Sequence, residues 1–195
     1  MKVHNINDLI IIERNYVPNE VCSGYYVNSG FITDFFYYFA GYSQEDLYLG
    51  LLNGIDLSNA EEVSFMFADC EVKSIPSLDL RSAKTTYGIF FTCDAEIIEN
   101  LIIGQMDGKT FTELGMNTML NLKNINIDGR IKVNSDLSLL MPNSLTIEAW
   151  VKIFEAFEDN SNEDTQYVCY INQTVLQELT PEQISIVTSK NILLA

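Results

Sequence analysis

Histidine, cysteine and paired carboxylates are the residues from which most catalytic sites are built, and here they are sparse and scattered. His4 is the only histidine. No cluster of imidazoles can therefore hold a metal, and Cys-His or Ser-His chemistry would have to recruit a residue from the N-terminal segment. Of the four cysteines, Cys22 and Cys169 stand alone, while Cys70 and Cys93 occupy matching positions in two similar stretches. No two are spaced as Cys-x-x-Cys, so they read as small apolar core residues in the reduced state rather than a redox pair. Asp56 and Asp79 are the carboxylates at matched positions, but no general base, metal site or cofactor loop accompanies them. The chain reads as non-enzymatic, without metal or cofactor.

Two motifs come close to binding chemistry and fall short. Gly104-Gln105-Met106-Asp107-Gly108-Lys109-Thr110 resembles a phosphate loop, but three residues separate its glycines where four are needed for the backbone amides to encircle a phosphate. Asp159-Asn160-Ser161-Asn162-Glu163-Asp164 alternates oxygen ligands as a calcium loop does. Asp164 replaces the required glycine, however, and Tyr170 stands where the bidentate Glu belongs, so a solvated loop is expected. Asn172-Gln173-Thr174 is a glycosylation sequon without a secretory context.

The elements around these residues are organised by repetition. Phe39-Ala40-Gly41-Tyr42, Phe67-Ala68-Asp69-Cys70, Phe90-Phe91-Thr92-Cys93 and Met116-Asn117-Thr118-Met119 each close a short apolar segment, and the near-regular interval between them is the mark of a repeat protein. Apolar phases recur ahead of each: Ile32, Phe35, Tyr38; Ala60, Val63, Met66; Ala83, Thr86, Ile89. The last copy, Lys109, Thr112, Gly115 and Met116, keeps the spacing and loses most of the apolar character. This spacing, with two steps of three followed by an adjacent residue, predicts one face of a short helix. Short strands are expected at Ile55-Asp56-Leu57, Ile75 to Leu80, Ile97 to Ile103 and Ile125-Asn126-Ile127. A unit of one strand and one short helix cannot bury both apolar edges alone, so units must stack. The expected architecture is an α/β solenoid of parallel strands and short helices.

The pair Asp56-Leu57-Ser58-Asn59-Ala60 to Cys70 and Asp79-Leu80-Arg81-Ser82-Ala83 to Cys93 resembles the BspA-type leucine-rich repeats of bacterial surface antigens. That family favours Leu-Asp-x-Ser-Asn ahead of a Met-Phe-x-x-Cys segment end, as in Leu78-Asp79 and Met66-Phe67-Ala68-Asp69-Cys70. The outer copies replace the Cys by Tyr42 and Met119. Leu145-Thr146-Ile147-Glu148 and Leu179-Thr180-Pro181-Glu182-Gln183 look like the tail that ends many such proteins in gut bacteria and their phages, and the chain is expected to end where the protein does. The resemblance implies adhesion or host recognition, with a phage tail or other virion-associated binding protein as one setting.

One domain accounts for the chain: an N-terminal cap over 1–29, about four degenerate repeats over 30–130, and a C-terminal cap over 131–195. Thr146 can cap a helix with apolar positions Ile147, Trp150, Val151, Phe154 and Phe157. Gln166 to Ile171 alternates as a strand, Thr180-Pro181-Glu182-Gln183 opens a helix through about Ser189 as a capping box, and Ile192-Leu193-Leu194 finishes the chain. No run of roughly eighteen apolar residues predicts a membrane span, and Met1 to Asp8 does not begin a secretory leader. Virion-associated and cytoplasmic locations both fit.

The formal charge is −16, from 11 basic and 27 acidic residues. Between Asn15 and Val72 there is no Lys or Arg, while seven of the ten tyrosines fall there. Such a field repels nucleic acid and anionic lipid and favours a basic protein or a cell-surface ligand. Two candidate surfaces follow. Tyr25, Tyr26 and Tyr48 could present amphipathic rings for recognition or pack beneath the N-terminal cap. Asp56, Ser77, Asp79 and Asn126 would line the concave strand face, unless the aspartates simply bond turn backbone. The functional reading is a non-catalytic recognition module; the alternative is an acidic intracellular protein that sequesters a basic partner, as an immunity or anti-defence protein would.

Overall fold

Every strand pairing among the described residues is parallel. The computed structural model describes residues 34–35, 39–41 and 57–195. The first sheet holds β1 (Ser74–Ile75), β2 (Leu78–Asp79), β3 (Ile97–Asp107) and β4 (Asn124–Lys132). β1 and β2 pair with the same edge of β3. Together they are the strand expected over 75–80, interrupted at Pro76, which has no N–H to contribute. β3 and β4 run past the expected ends at Ile103 and Ile127. The second sheet orders β5 (Leu137–Ser138), β6 (Tyr167–Tyr170) and β7 (Ile192–Leu194). The chain is thus mixed α/β with parallel strands and short helices.

The segments expected to be helices at Ala60–Phe67 and Ala83–Phe90 are successive turns instead. Their phases are nevertheless buried, with Ala83 only partly so: Ala60, Val63, Met66 and Phe67 are at most 1% exposed. The reason lies in where the backbone donors go. Val63, Phe65, Phe67 and Asp69 donate their N–H groups to the carbonyls of Thr85, Tyr87, Ile89 and Phe91 in the following unit. Met66, Ala68 and Cys70 donate back within their own unit, to the carbonyls of Val63, Phe65 and Phe67. An α-helix would direct all these donors to the preceding turn and leave the neighbouring unit unbonded. Left-handed φ angles at Phe65 (55°) and Asp69 (57°) make the break, and Gly88 (63°) and Thr92 (53°) repeat it in the next unit. The true helix of this region, α1 (Gly108–Glu113), lies in the fourth and least apolar copy, followed by a 3-10 turn at Met116–Thr118.

Stacking places the first residues of the first three quartets in one column. Phe39, Phe67 and Phe90 lie ring over ring, with centroids 5.3 and 6.3 Å apart and planes within 16° of parallel. Met116 takes the fourth position and is equally buried. Cys70, Cys93 and Met119 are buried at the last position of their quartets, and the Cys70 thiol donates to the Phe39 carbonyl at 2.7 Å.

The C-terminal elements continue the same core. Thr146 caps α2 (Ile147–Ala156), its hydroxyl accepting the Ala149 N–H. Trp150, Ile153, Phe154 and Phe157 are buried, α2 packs against β4, and Phe157 bridges Ile131 in parallel. α4 (Pro181–Thr188) carries the expected capping box between Thr180 and Gln183. α3 (Gln173–Glu178), between β6 and α4, is an element that the sequence does not signal. Among the described residues no helix is long and apolar enough to cross a membrane.

Candidate binding face of the parallel sheet

The outward side chains of β1 to β4 form a connected polar row. Ser74 Oγ donates to Glu99 Oε1 at 3.0 Å, and Asn100 Nδ2 reaches Ser77 Oγ at 3.5 Å. Asn126 Nδ2 donates to the Glu99 carbonyl at 2.6 Å. Lys152 Nζ, from α2, donates to Asn126 Oδ1 at 2.7 Å and Asn124 Oδ1 at 3.0 Å. Alternation puts this row outward because Ile98, Leu101 and Ile125 take the inward positions and are fully buried.

Two bulges in β3, between Ile98 and Leu101 and between Ile102 and Gly104, each set one extra residue against β4. At the second, Gly129 has φ 139°, and a Cβ there would lie 2.5 Å from the Gly104 carbonyl oxygen. Only glycine allows the two backbones to approach so closely. Just beyond it, Arg130 and Lys152 line a concavity of about 280 Å³ with Asn126, Ile127, Glu155 and Ala156.

The face thus brings Ser77 and Asn126 together through Asn100 and Glu99. Asp79 has a local role instead. Its carboxylate accepts the Arg81 N–H at 3.1 Å and pairs with the Arg81 guanidinium at 2.6 Å, and these bonds hold the carboxyl below its ordinary range. The bond to turn backbone expected as one reading of this aspartate is present. Tyr25, Tyr26, Tyr48, Asp56, His4 and Cys22 lie outside the described residues. Ser74, Glu99, Asn100, Asn124, Arg130 and Lys152 are the members that the sequence does not single out. Arg130 lies beyond the expected end of its strand, and Lys152 shares a helix with the buried Trp150, Ile153 and Phe154.

The two near-miss motifs have structural occupants. The helix start after Gly104 is capped by Asp107, which accepts the Thr110 N–H at 3.0 Å and hydroxyl at 2.6 Å, so a carboxylate already sits where a phosphate would. In the loop at 159–164, Asp159 accepts the Ser161 N–H, and the buried Asn160 ties back to the Val133 carbonyl at 2.7 Å. Burial raises the Cys93 thiol to about 11 and the Cys169 thiol to about 12, far from the thiolate a nucleophile needs. Asn172 of the sequon donates to the Met141 carbonyl and to Asn143. No protein-family model matches the chain, and neither curated proteins nor solved structures give a match.

Proposed function

We propose that the chain is a non-catalytic recognition module, a short leucine-rich-repeat solenoid of BspA type that binds a protein or cell-surface ligand in a bacterial or phage setting, as a tail or virion-associated protein does. The observation that supports it is the polar row from Ser74 through Glu99 and Asn126 to Lys152, presented across consecutive parallel strands. Stacked units with such a row offer an extended surface whose side chains are already held in place. The stacked Phe rings and the buried Cys70 and Cys93 at repeat spacing support the solenoid part of the reading.

The second reading is sequestration of a basic partner by an acidic protein, favoured by the −16 charge. Capture of partners from the native source at low and high salt separates the two, because attraction between exposed charges is screened within about 10 Å at 0.1 M salt. Particle or envelope proteins retained at high salt, with the chain recovered in purified particles, support recognition. A single basic intracellular protein released by salt supports sequestration.

A further inference from the structure

The chain carries 27 acidic and 11 basic residues, and four of the nine cations among the described residues pair with a carboxylate. Arg81, Lys84, Lys109 and Lys123 each have one, in Asp79, Glu61, Glu113 and Glu96. Lys73, Lys132, Lys190, Arg130 and Lys152 make no ion pair among the described residues, and of these five Arg130 and Lys152 line the same concavity between β4 and α2. Lys152 is anchored by two neutral carboxamides, so its position is fixed without a direct ion pair among the described residues. Among the described residues the Arg130 side chain donates only to the carbonyl of its own neighbour Gly129, at 3.2 Å, and a bulge in β3 lies opposite that glycine. Two cations held at one hollow in an otherwise acidic chain mark a place for an anion.

We propose that this concavity binds a small hydroxylated carboxylate, an acidic sugar of the uronic type. The Arg130 fork and the Lys152 ammonium supply donors for one carboxylate group. Glu155 on the rim accepts hydroxyl hydrogens and repels a multiply charged anion such as phosphate. Ile127 and Ala156 give the C–H face of a sugar ring an apolar contact. This inference rests on the reading of the sheet face as a recognition surface and names its ligand class.

The test is calorimetric titration of the full chain at low salt with sodium glucuronate, glucose, acetate and inorganic phosphate. Saturable glucuronate binding is expected, at least about ten-fold tighter than glucose or phosphate, given that charge-assisted bidentate contacts are the strong ones. Arg130→Gln should weaken glucuronate about ten-fold or more with an unchanged circular dichroism spectrum, and Arg130→Lys should restore part of the loss. Glu155→Ala should strengthen acetate and phosphate and so narrow the preference for glucuronate over both. Absence of saturable binding, equal binding of phosphate and glucuronate, or indifference to Arg130→Gln overturns the proposal. Any of these leaves the salt-dependent partner capture untouched, so the two readings fail separately.

Discussion

Two adjacent phenylalanines offer a test in which residue type and sequence position are held nearly constant. Phe90 is fully buried in the column below Phe67, whereas Phe91 is 45% exposed and touches the Phe65 ring edge-on at 6.4 Å. Truncating a buried Phe removes its transfer free energy and leaves a cavity, at a cost of about 3–5 kcal/mol. Phe91 has about half of its surface out of water to lose, worth about 1–1.5 kcal/mol, with little cavity because solvent fills the space. Phe90→Ala should therefore cost roughly three times as much as Phe91→Ala. In thermal unfolding that corresponds to a fall of about 6–20 °C against about 2–6 °C for a chain of this length. Urea unfolding followed by far-ultraviolet circular dichroism and by the single Trp150 gives both numbers. Coincident transitions at the two probes would show that the turns and the C-terminal elements unfold together. Equal costs for the two substitutions, or a larger cost at Phe91, would refute the phase assigned to the quartets and with it the stacking.

Other positions give sharper single-site expectations. Gly129→Ala forces a Cβ against the Gly104 backbone and should cost about 2–4 kcal/mol in urea unfolding, whereas alanine at an unconstrained site would be neutral. Asp107→Ala removes the α1 cap and should cost about 1 kcal/mol at pH 7. Hydrogen bonds from Thr110 depress the Asp107 carboxyl in the folded state, so its contribution is complete above the unfolded value of about 3.9 and is lost as pH falls through the folded value. Wild type and variant should converge in acid, and a constant difference would contradict the assignment. Lys190 Nζ donates to the Phe154, Glu155 and Phe157 carbonyls at the end of α2, and Lys190→Met should cost about 1–3 kcal/mol by leaving those acceptors without their cation. An unchanged urea midpoint would show that solvent serves them equally well.

What the sequence disclosed was the burial pattern more than the backbone path. The spacing of Val63, Met66 and Phe67 selects the same inward residues in a helix and in the observed turns. Burial was therefore legible while the hydrogen-bond partners, which lie in the following unit, were not. Caps were legible at Thr146 and Thr180 because they are local chemistry. Helix α3 escaped because the polar Gln173, Thr174, Gln177 and Glu178 leave only Val175 buried. On the candidate face, Ser77 and Asn126 follow from strand alternation, whereas Lys152 reaches Asn126 from another element and can be placed only by the packing of α2 on β4. Asp79 finds its partner two residues away, in Arg81.

The most direct test of the recognition surface compares partner retention at high salt by the wild type, a Ser77→Arg/Glu99→Arg variant and a Tyr25→Ser/Tyr26→Ser/Tyr48→Ser variant, with folding checked by circular dichroism. Ser77 and Glu99 are exposed, so the first pair alters the face without disturbing the core. The sheet-face variant is expected to stay folded and lose the partner while the tyrosine variant keeps it. Retention by a folded sheet-face variant, with loss in a folded tyrosine variant, would contradict this and place recognition in the N-terminal third.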